Sequence, residues 1–401
     1  MKVLLVTQYF YPENFKSNDI AFELCKRGYK VTVLTGIPNY PKGRFFPGYG
    51  LFRKRIETIK GVKVYRSFLL PRGNGGGIAL ALNYFSFAFS ASFYAFFLGL
   101  FRRFDCIIVH EPSPITQGIP AIIIKKIQRI PLYFWVLDLW PESLSSSGGV
   151  TNRQVLSFFE RLVIFTYKNS DKILISSRGF EKSILQKGDF SNKIIYFPNW
   201  SENQINENPQ QIIPNLAEGF RIMFAGNIGE SQDFEAIMQA TLLMKNNKDV
   251  KWIFVGDGRK KSWVEQFIKD NELYETVFAL GVYPYETMPT FFKNADALLV
   301  TLKDEMIFNL TVPAKLQAYM AASRPILAML NGEGAEIIKD ADCGYSACSG
   351  DYVNLVKIIN EKVLPNKADF QRKGSSGFKY FNQHFQKSAC IDNLCKIINN
   401  N

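Results

Sequence analysis

Short apolar runs alternate with amphipathic helical patterns along most of the chain, and this alternation restricts the fold more than any other feature. Strands that alternate with helices form parallel sheets that helices cover on both faces. The sequence therefore predicts an α/β protein. The predicted strands are Val3–Thr7, Lys30–Thr35, Val62–Ser67, Cys106–His110, Tyr133–Asp138, Lys172–Ser176, Lys193–Phe197, Arg221–Ala225, Lys251–Val255, Val277–Leu280, Ala297–Thr301 and Pro325–Leu330.

The chain is long enough for two or three domains, because it has 401 residues. The pattern breaks at residues 200–219, a polar stretch rich in Pro and Asn, and a new strand–glycine-loop–helix unit follows. We predict two Rossmann-like domains that face each other across a cleft, residues 1–200 and residues 201–378, with a C-terminal helix at 379–401 joining the first. Ligands of such sheets bind at the carboxyl ends of the strands.

One segment, Ile78–Phe101, contains 24 residues without a charge and is long enough to cross a bilayer. It could be a transmembrane helix, a buried core helix or a helix that lies in the membrane interface. Predicted strands of one sheet lie on both sides of it in the sequence, and a crossing would divide that sheet. We favour the interfacial helix, because seven phenylalanines precede the basic pair Arg102-Arg103.

The net charge of +12 favours partners that carry phosphate, such as nucleic acid, anionic lipid or a nucleotide. No nucleic-acid-binding module is recognisable, so we expect no nucleic acid partner. The six cysteines and two histidines lack the spacing of a zinc site. Because Met1 and Lys2 lead directly into an apolar strand, we expect no signal peptide and a cytosolic location.

Two glycine loops each follow a predicted strand and open a helix, at residues 225–229 and 255–261. Neither has the GxGxxG or the P-loop pattern. Glycine at such a turn is often a matter of backbone geometry alone. Two consecutive loops of this kind nevertheless favour a nucleotide site, with Asn227, Gly229, Gly256 and Gly258 as candidates.

The segment 311–328 predicts a helix whose first turn carries Lys315, after a capping Thr311 and Pro313. The N-terminus of a helix has free N–H groups and a partial positive charge, so it suits a diphosphate. A solvated lysine is the alternative interpretation. Gln317 is a candidate for the ribose, and the glycine-flanked turn with Glu333 is aimed at the same cleft.

Two neighbouring strands of the first half end in chemically active side chains. His110 ends one predicted strand, and Asp138 and Glu142 follow the next. A lone histidine is usually structural, but a histidine beside carboxylates at the carboxyl edge of a sheet is a better candidate for a site.

Taken together, these segments resemble the retaining GT-B glycosyltransferases of family 4 that build bacterial O-antigen and capsule. The resemblance runs nearly from end to end, and part of it points to the subgroup that includes N-acetyl-L-fucosamine transferases. The segments that carry it are VTQYFYPENFKSNDIAFELCKRGYKVTVLTGIPNYPKG, HEP, DLWPES, FPNW, AGNIG, VGDG, GVYPYETMP and VPAKLQAYMAASRPIL.

The resemblance implies transfer of a sugar, such as an N-acetylated deoxyhexosamine, from a UDP-sugar to an undecaprenyl-diphosphate-linked glycan for capsule or lipopolysaccharide. It implies no metal and no other cofactor, and a peripheral contact of residues 78–103 with the cytoplasmic face of the inner membrane. His110 would contact the donor sugar or the incoming hydroxyl, and Asp138 and Glu142 would contact the acceptor or position a loop. The implied nucleotide-sugar contacts are Asn227, Gly229, Gly256, Gly258, Tyr283, Thr311, Val312, Lys315, Gln317 and Glu333.

The sequence departs from the family pattern at several positions. The usual E-x7-E pair falls on Asn309 and Gln317, the usual cations of the donor domain fall on Asn227 and Asp233, and the double glycine of the N-terminal loop is Ser17-Asn18. Phosphate binding would then depend more on Lys315. The alternatives are an enzyme similar to the UDP-N-acetylhexosamine 2-epimerases and a non-catalytic membrane scaffold of the same fold.

Overall fold

A computed structural model describes residues 1–146, 149–201 and 213–400. Most of the polar stretch predicted as the domain boundary, residues 202–212, lies outside the described residues. The chain forms two compact units. The first consists of Met1–Pro198 and Ile391–Asn401, and the second is Asn199–Cys390.

The first unit is built on an eight-stranded sheet whose strands are parallel, except for the edge strand β3. The spatial order is β3-β4-β2-β1-β5-β6-β7-β8, with central strands that are apolar on both faces, as a sheet covered by helices requires. Its strands are β1 Lys2–Val6, β2 Lys30–Gly36, β3 Ile56–Ile59, β4 Val62–Ser67, β5 Cys106–Glu111, β6 Leu132–Val136, β7 Lys172–Ile175 and β8 Ile194–Tyr196. Its helices are α1 Lys16–Lys26, α2 Gly77–Phe101, α3 Gly118–Gln128, α4 Glu142–Ser146, α5 Arg153–Asn169 and α6 Phe180–Gln186.

The second unit has a six-stranded parallel sheet in the order β11-β10-β9-β12-β13-β14. Its strands are β9 Phe220–Ala225, β10 Val250–Val255, β11 Val277–Gly281, β12 Ala297–Thr301, β13 Ile326–Met329 and β14 Gly344–Ala347. The helices from α7 onward are α7 Phe234–Leu243, α8 Lys261–Asp270, α9 Met288–Lys293, α10 Met306–Leu310, α11 Ala314–Ala321, α12 Glu333–Asp340, α13 Tyr352–Ile358, α14 Lys367–His384 and α15 Lys387–Asn399.

The C-terminal region differs from the single helix predicted at 379–401. It consists of α14 and α15, and the chain belongs to the first unit only from Ile391 onward. Helix α15 contacts the turn after α1, because Asp392 pairs with Arg27 at 2.8 Å and the amide of Asn399 donates to the Tyr29 hydroxyl at 2.8 Å. The two partners of each pair are far apart in the sequence, so the sequence did not predict these contacts.

One side of helix α2 packs against the first unit and the other side is exposed. Its buried residues include Phe87 and the small residues Ala91, Ala95 and Gly99. At Gly99 a Cβ atom would lie 2.9 Å from Ile127 of α3, so the small residues permit a close approach of the two helices. The exposed apolar residues on α2 are Ile78, Leu82, Phe85, Phe89, Phe93, Phe96, Phe97, Leu100 and Phe101.

Among the described residues, α2 is the one helix long and apolar enough to cross a membrane by length and composition. The strands on both sides of it in the sequence belong to one sheet, as predicted. A fully buried core helix is the wrong description, because Phe89 is 84% exposed. The structure therefore leaves a long apolar surface on one side of a helix that is anchored by its other side.

A buried network of amides connects α2 to the loops that follow β1 and β2. Asn83 of α2 is fully buried; its Oδ1 accepts from Gln8 Nε2 at 2.7 Å, and its Nδ2 lies 3.4 Å from Asn39 Oδ1. The backbone N–H of Gln8 in turn donates to the side chain of Gln117. Buried polar groups are costly unless they are paired, so this network fixes the position of α2.

We expect Asn83→Leu to lower the free energy of unfolding by roughly 1–3 kcal/mol, the usual cost of leaving a buried donor unsatisfied. Gln8 Nε2 would lose its partner while the helix kept its length. Urea denaturation followed by circular dichroism would measure the change. Asn393→Leu on the exposed side of α15 is the matched control, and equal stabilities of the two variants would contradict the prediction.

Candidate active site

A cavity of about 510 Å³ lies in the second unit, where β9 and β10 end. Its wall combines the two glycine loops with the first residues of α11 and an aromatic segment after β11. Large apolar pockets with a few polar groups are typical ligand sites. The lining residues are Ser201, Ala225, Gly226, Asn227, Val255, Gly256, Asp257, Val282, Tyr283, Tyr285, Met288, Phe292, Ala314, Lys315, Ala318 and Tyr319.

The two glycine loops touch each other at the bottom of this cavity. A Cβ atom on Gly256 would lie 1.9 Å from the carbonyl oxygen of Gly226, and one on Gly226 would lie 2.6 Å from Lys315 Cε. Both glycines also have positive φ, at +142° and +138°. Only glycine therefore permits the loops and the lysine chain to pack this closely.

Lys315 is the one lysine or arginine that lines this cavity, and it is mostly buried. Its Nζ donates to the side-chain oxygen of Gln232 and lies 3.9 Å from the centre of the Phe224 ring. No carboxylate forms an ion pair with it in the part of the chain that the structure describes. Burial lowers the pKa of Lys315 to about 7, and an anion placed beside Nζ would favour the charged form.

Another part of the cavity wall is apolar and partly aromatic. Tyr283 packs edge-on against Phe291, with 4.8 Å between the ring centres, and Met288 and Phe292 lie beside it. A flat heterocycle can stack on such a surface. The cavity wall thus combines one cationic side chain with several aromatic ones.

The structure brings four of the predicted nucleotide contacts to this cavity: Asn227, Gly256, Tyr283 and Lys315. It does not bring the other six there: Gly229, Gly258, Thr311, Val312, Gln317 and Glu333.

Gln317 is the clearest correction among these six. It is buried, and its Nε2 donates to the backbone oxygen of Asn199 at 3.0 Å. Residues two apart on a helix point in nearly opposite directions, so Gln317 could not share the face of Lys315. Thr311 is likewise occupied, since its hydroxyl donates to the Phe308 carbonyl at 3.2 Å.

In the first unit, His110 is the second-to-last residue of β5 and is only 1% exposed. Its Nδ1 is 3.2 Å from the Thr7 hydroxyl, and its ring packs 5.4 Å from that of Trp135. Burial lowers the pKa of His110 to about 3. The side chain is therefore a neutral imidazole with one nitrogen fixed by Thr7.

The two predicted carboxylates differ in their surroundings. Asp138 accepts hydrogen bonds from Trp140 Nε1 at 3.1 Å and from the Ser143 hydroxyl, and burial raises its pKa. Glu142 accepts from the Ser183 hydroxyl at 2.6 Å and pairs with Lys187. Glu142 thus links the start of α4 to α6 and to Lys187, the residue after it.

Glu13 is a buried carboxylate that the sequence interpretation missed. Its oxygens accept backbone N–H groups of Asn39 at 2.8 Å, Tyr40 at 2.7 Å and Phe10 at 3.3 Å. Burial raises the pKa of Glu13 to about 7. Glu13 joins the loops after β1 and β2. These strands are neighbours in the sheet, and that adjacency was the one indication in the sequence that a side chain could bridge the two loops.

Metal ligands are not grouped in the described ranges: no cluster of three or more His, Cys, Asp or Glu side chains could hold a metal ion there.

Two family models match the chain. Residues 17–200 match the glycosyl transferase 4-like domain, and residues 219–362 match the glycosyl transferases group 1. The chain is 31% identical over 258 residues to the probable glycosyltransferase WbjE of Pseudomonas aeruginosa, which covers 60% of this chain and 64% of that protein. This match spans less than two thirds of WbjE.

A second relative is the putative colanic acid biosynthesis glycosyl transferase WcaI of Escherichia coli K12, with 24% identity over 319 residues and 74% of each chain covered. The fold is similar to that of Anabaena HepE in a crystal structure with UDP, with a TM-score of 0.68, 14% identity and 100% of both chains covered. The protein has the GT-B fold, with its two Rossmann-like domains. Its residues 17–200 and 219–362 thus each match a glycosyltransferase domain model.

Proposed function

We propose that the protein transfers a sugar from a UDP-sugar to a polyprenyl-diphosphate-linked glycan during surface polysaccharide synthesis. The observation that carries the proposal is the half-buried Lys315, which has no carboxylate partner among the described residues and lies beside two glycine loops. A diphosphate there would restore the charge of the lysine. The proposal gains support from the UDP bound to HepE and from the colanic acid pathway in the name of WcaI.

The donor would lie in the second unit with its base against Tyr283 and its diphosphate at Lys315. Asn227 and the backbone of the glycine loops would contact the phosphates, because glycine permits a close approach of the chain. Positive charge that is fixed in advance stabilises the leaving diphosphate without a metal ion. We further propose retention of configuration without an enzyme nucleophile, and an N-acetylated deoxyhexosamine as the sugar.

In the first unit, His110 is the proposed contact for the donor sugar or the incoming hydroxyl. A neutral imidazole can take part in a hydrogen bond through the nitrogen that Thr7 does not contact. Asp138 is the proposed acceptor-side carboxylate, since Glu142 forms an ion pair with Lys187 and Asp138 forms none among the described residues.

The acceptor is a lipid, so we propose that residues 78–103 contact the cytoplasmic face of the inner membrane without crossing it. The exposed side of α2 would enter the interface, and Arg102 and Arg103 would lie among the headgroups.

Incubation with a panel of UDP-sugars and a polyprenyl-diphosphate acceptor, followed by mass spectrometry of the lipid, tests the proposal. We expect one UDP-sugar to release UDP and to lengthen the lipid-linked glycan. A 2-epimerised UDP-sugar without transfer would indicate the epimerase instead. A lack of turnover of every donor, with intact UDP binding, would favour the non-catalytic scaffold.

We expect His110→Ala to lower the transfer rate by roughly 10²-fold or more, the lower range for an acid–base group. The affinity for UDP should stay near that of the wild type, because His110 belongs to the first unit. Isothermal titration calorimetry with UDP and a lipid-transfer assay would measure the two effects. A thermal melt checks the fold, and a large loss of UDP affinity in a folded variant would assign His110 to the nucleotide.

A further inference from the structure

An apolar turn projects from the first unit between β2 and β3. The backbone N–H of Arg53 donates to the carbonyl of Gly50 at 3.3 Å, which places Leu51 and Phe52 at the tip of a four-residue turn. Phe52 is 96% exposed, more than any other large apolar side chain in the described residues. Nothing in the packing of the first unit requires a phenylalanine at this position.

Arg55 holds this turn next to the apolar helix α2. Its Nη1 donates to the carbonyl of Leu51 at 2.7 Å, and its Nε donates to the carbonyl of Arg66 at 2.7 Å. Its Nη2 donates to the hydroxyl of Tyr94, a residue of α2, at 3.1 Å. The rigid fork of the guanidinium therefore fixes the turn against both the sheet and α2.

Cations follow directly after the apolar tip. Arg53 and Lys54 are exposed, and Lys54 Nζ lies 4.8 Å from the centre of the Tyr49 ring. Apolar side chains at a tip with cations behind them suit the boundary between acyl chains and anionic headgroups. A contact with an acidic protein would use the cations but would leave Phe52 in water.

We propose that the turn Gly50–Arg53 is a second membrane-contact element, and that its partner is a bilayer surface with anionic headgroups. This inference rests on the proposed membrane contact of α2, which Arg55 joins to the turn. Phe52 would enter the acyl boundary, and Arg53 and Lys54 would bind phosphate groups of the lipids. Two separate elements would fix the orientation of the first unit on the membrane as well as its distance from it.

Sedimentation of the full chain with vesicles of phosphatidylcholine, with and without phosphatidylglycerol, tests this proposal. We expect Phe52→Ser to lower the partition onto both kinds of vesicle by roughly tenfold, the effect of removing one inserted phenyl ring. Arg53→Gln should lower binding to the anionic vesicles by about fivefold and leave binding to neutral vesicles unchanged. Tyr274→Ser, at a 60% exposed position of the second unit, is the control that should bind like the wild type.

The proposal fails if Phe52→Ser binds both kinds of vesicle like the wild type while substitutions on α2 lower binding; the proposed role of α2 would then stand. If α2 variants also bind normally, both proposals fail. A Phe52→Ser variant that changes from dimer to monomer in analytical ultracentrifugation, with normal vesicle binding, would make the turn a contact between copies.

Arg55→Lys keeps the charge but loses the fork, so we expect it to bind anionic vesicles about threefold more weakly at an unchanged thermal midpoint.

Discussion

Lys315→Ala should lower kcat/KM for glycosyl transfer by roughly 10²-fold or more, the usual effect of losing one group that stabilises the transition state. Lys315 is the single cationic side chain on the cavity wall, and it has no carboxylate partner among the described residues that would share its charge. Steady-state kinetics with a UDP-sugar and a lipid acceptor would measure the loss.

Lys260 offers a matched control for this substitution. It lies in the second glycine loop, but its Nζ pairs with Glu235 at 2.6 Å and with Glu230 at 3.1 Å. Its charge is thus already neutralised, and Lys260→Ala should retain most of the activity. Turnover of the Lys315 variant equal to that of the wild type would remove Lys315 from the site.

The depressed pKa of Lys315 also predicts how UDP binding depends on pH. The free protein loses this proton as the pH rises through about 7, whereas a bound diphosphate favours the protonated lysine. UDP binding should therefore take up a proton above this pH, and its affinity should fall by up to about tenfold per pH unit. Calorimetry in buffers of different ionisation enthalpy would measure the uptake, and Lys315→Ala should lack it.

Rising pH lowers the affinity for UDP but has the opposite effect on the stability of the ligand-free protein. Between pH of about 7 and the ordinary lysine value of 10.5, only the unfolded chain keeps the proton on Lys315. The contribution of Lys315 to the stability of the ligand-free protein therefore improves as the pH rises through this range. UDP should reduce this gain, because it restores the charge in the folded state.

The strands were the most predictable part of the fold. Buried parallel strands are apolar along their whole length, and all twelve predicted runs are strands in the structure. Two strands were missed, β3 and β14. Both are short and lie at sheet edges. Exposed and half-buried residues alternate along β3. Strand β14 begins with Gly344, where a Cβ atom would lie 1.8 Å from the Ile326 carbonyl oxygen.

A site residue was predictable from the sequence when its residue type alone indicated its chemistry. It was less predictable when its position depended on which face of a helix it occupies. Lys315 stood out as a cation at the start of a helix, and it lies on the cavity as expected. Gln317 does not line the cavity, because it lies two residues after Lys315 and so on the other face of α11. Gln232, which accepts from Lys315, gave no sign at all, since it is 83 residues away in the sequence.

The two amides at the usual carboxylate positions have a physical explanation in this chain. Gln317 donates to a carbonyl of Asn199, and Asn309 Nδ2 donates to Asp304 Oδ1 at 2.7 Å. An ionised carboxylate has no proton to donate, so Glu could make neither bond. Both hydrogen bonds therefore join parts of the second unit to each other.

The apolar side of α2 should account for most of the membrane affinity. Phe89, Phe93 and Phe97 are all exposed, and insertion of each ring is worth about 1.5–3 kcal/mol. The variant with all three phenylalanines changed to serine should therefore have a vesicle partition coefficient more than 10³-fold lower. It should also lose activity on a lipid acceptor. Hydrolysis of the UDP-sugar without acceptor should survive, because the second unit is unchanged.

Thermal stability decides between this interpretation and a core role of the rings. A serine at a core position would bury a hydroxyl and leave a cavity, with a large loss of stability. The three rings are exposed, so the triple variant should melt at nearly the wild-type temperature. Phe87→Ser supplies the contrast on the same helix, because Phe87 is fully buried and its loss should cost several kcal/mol. If the triple variant melted as early as Phe87→Ser, the exposed side of α2 would belong to the packed interior, and the interfacial role would be wrong.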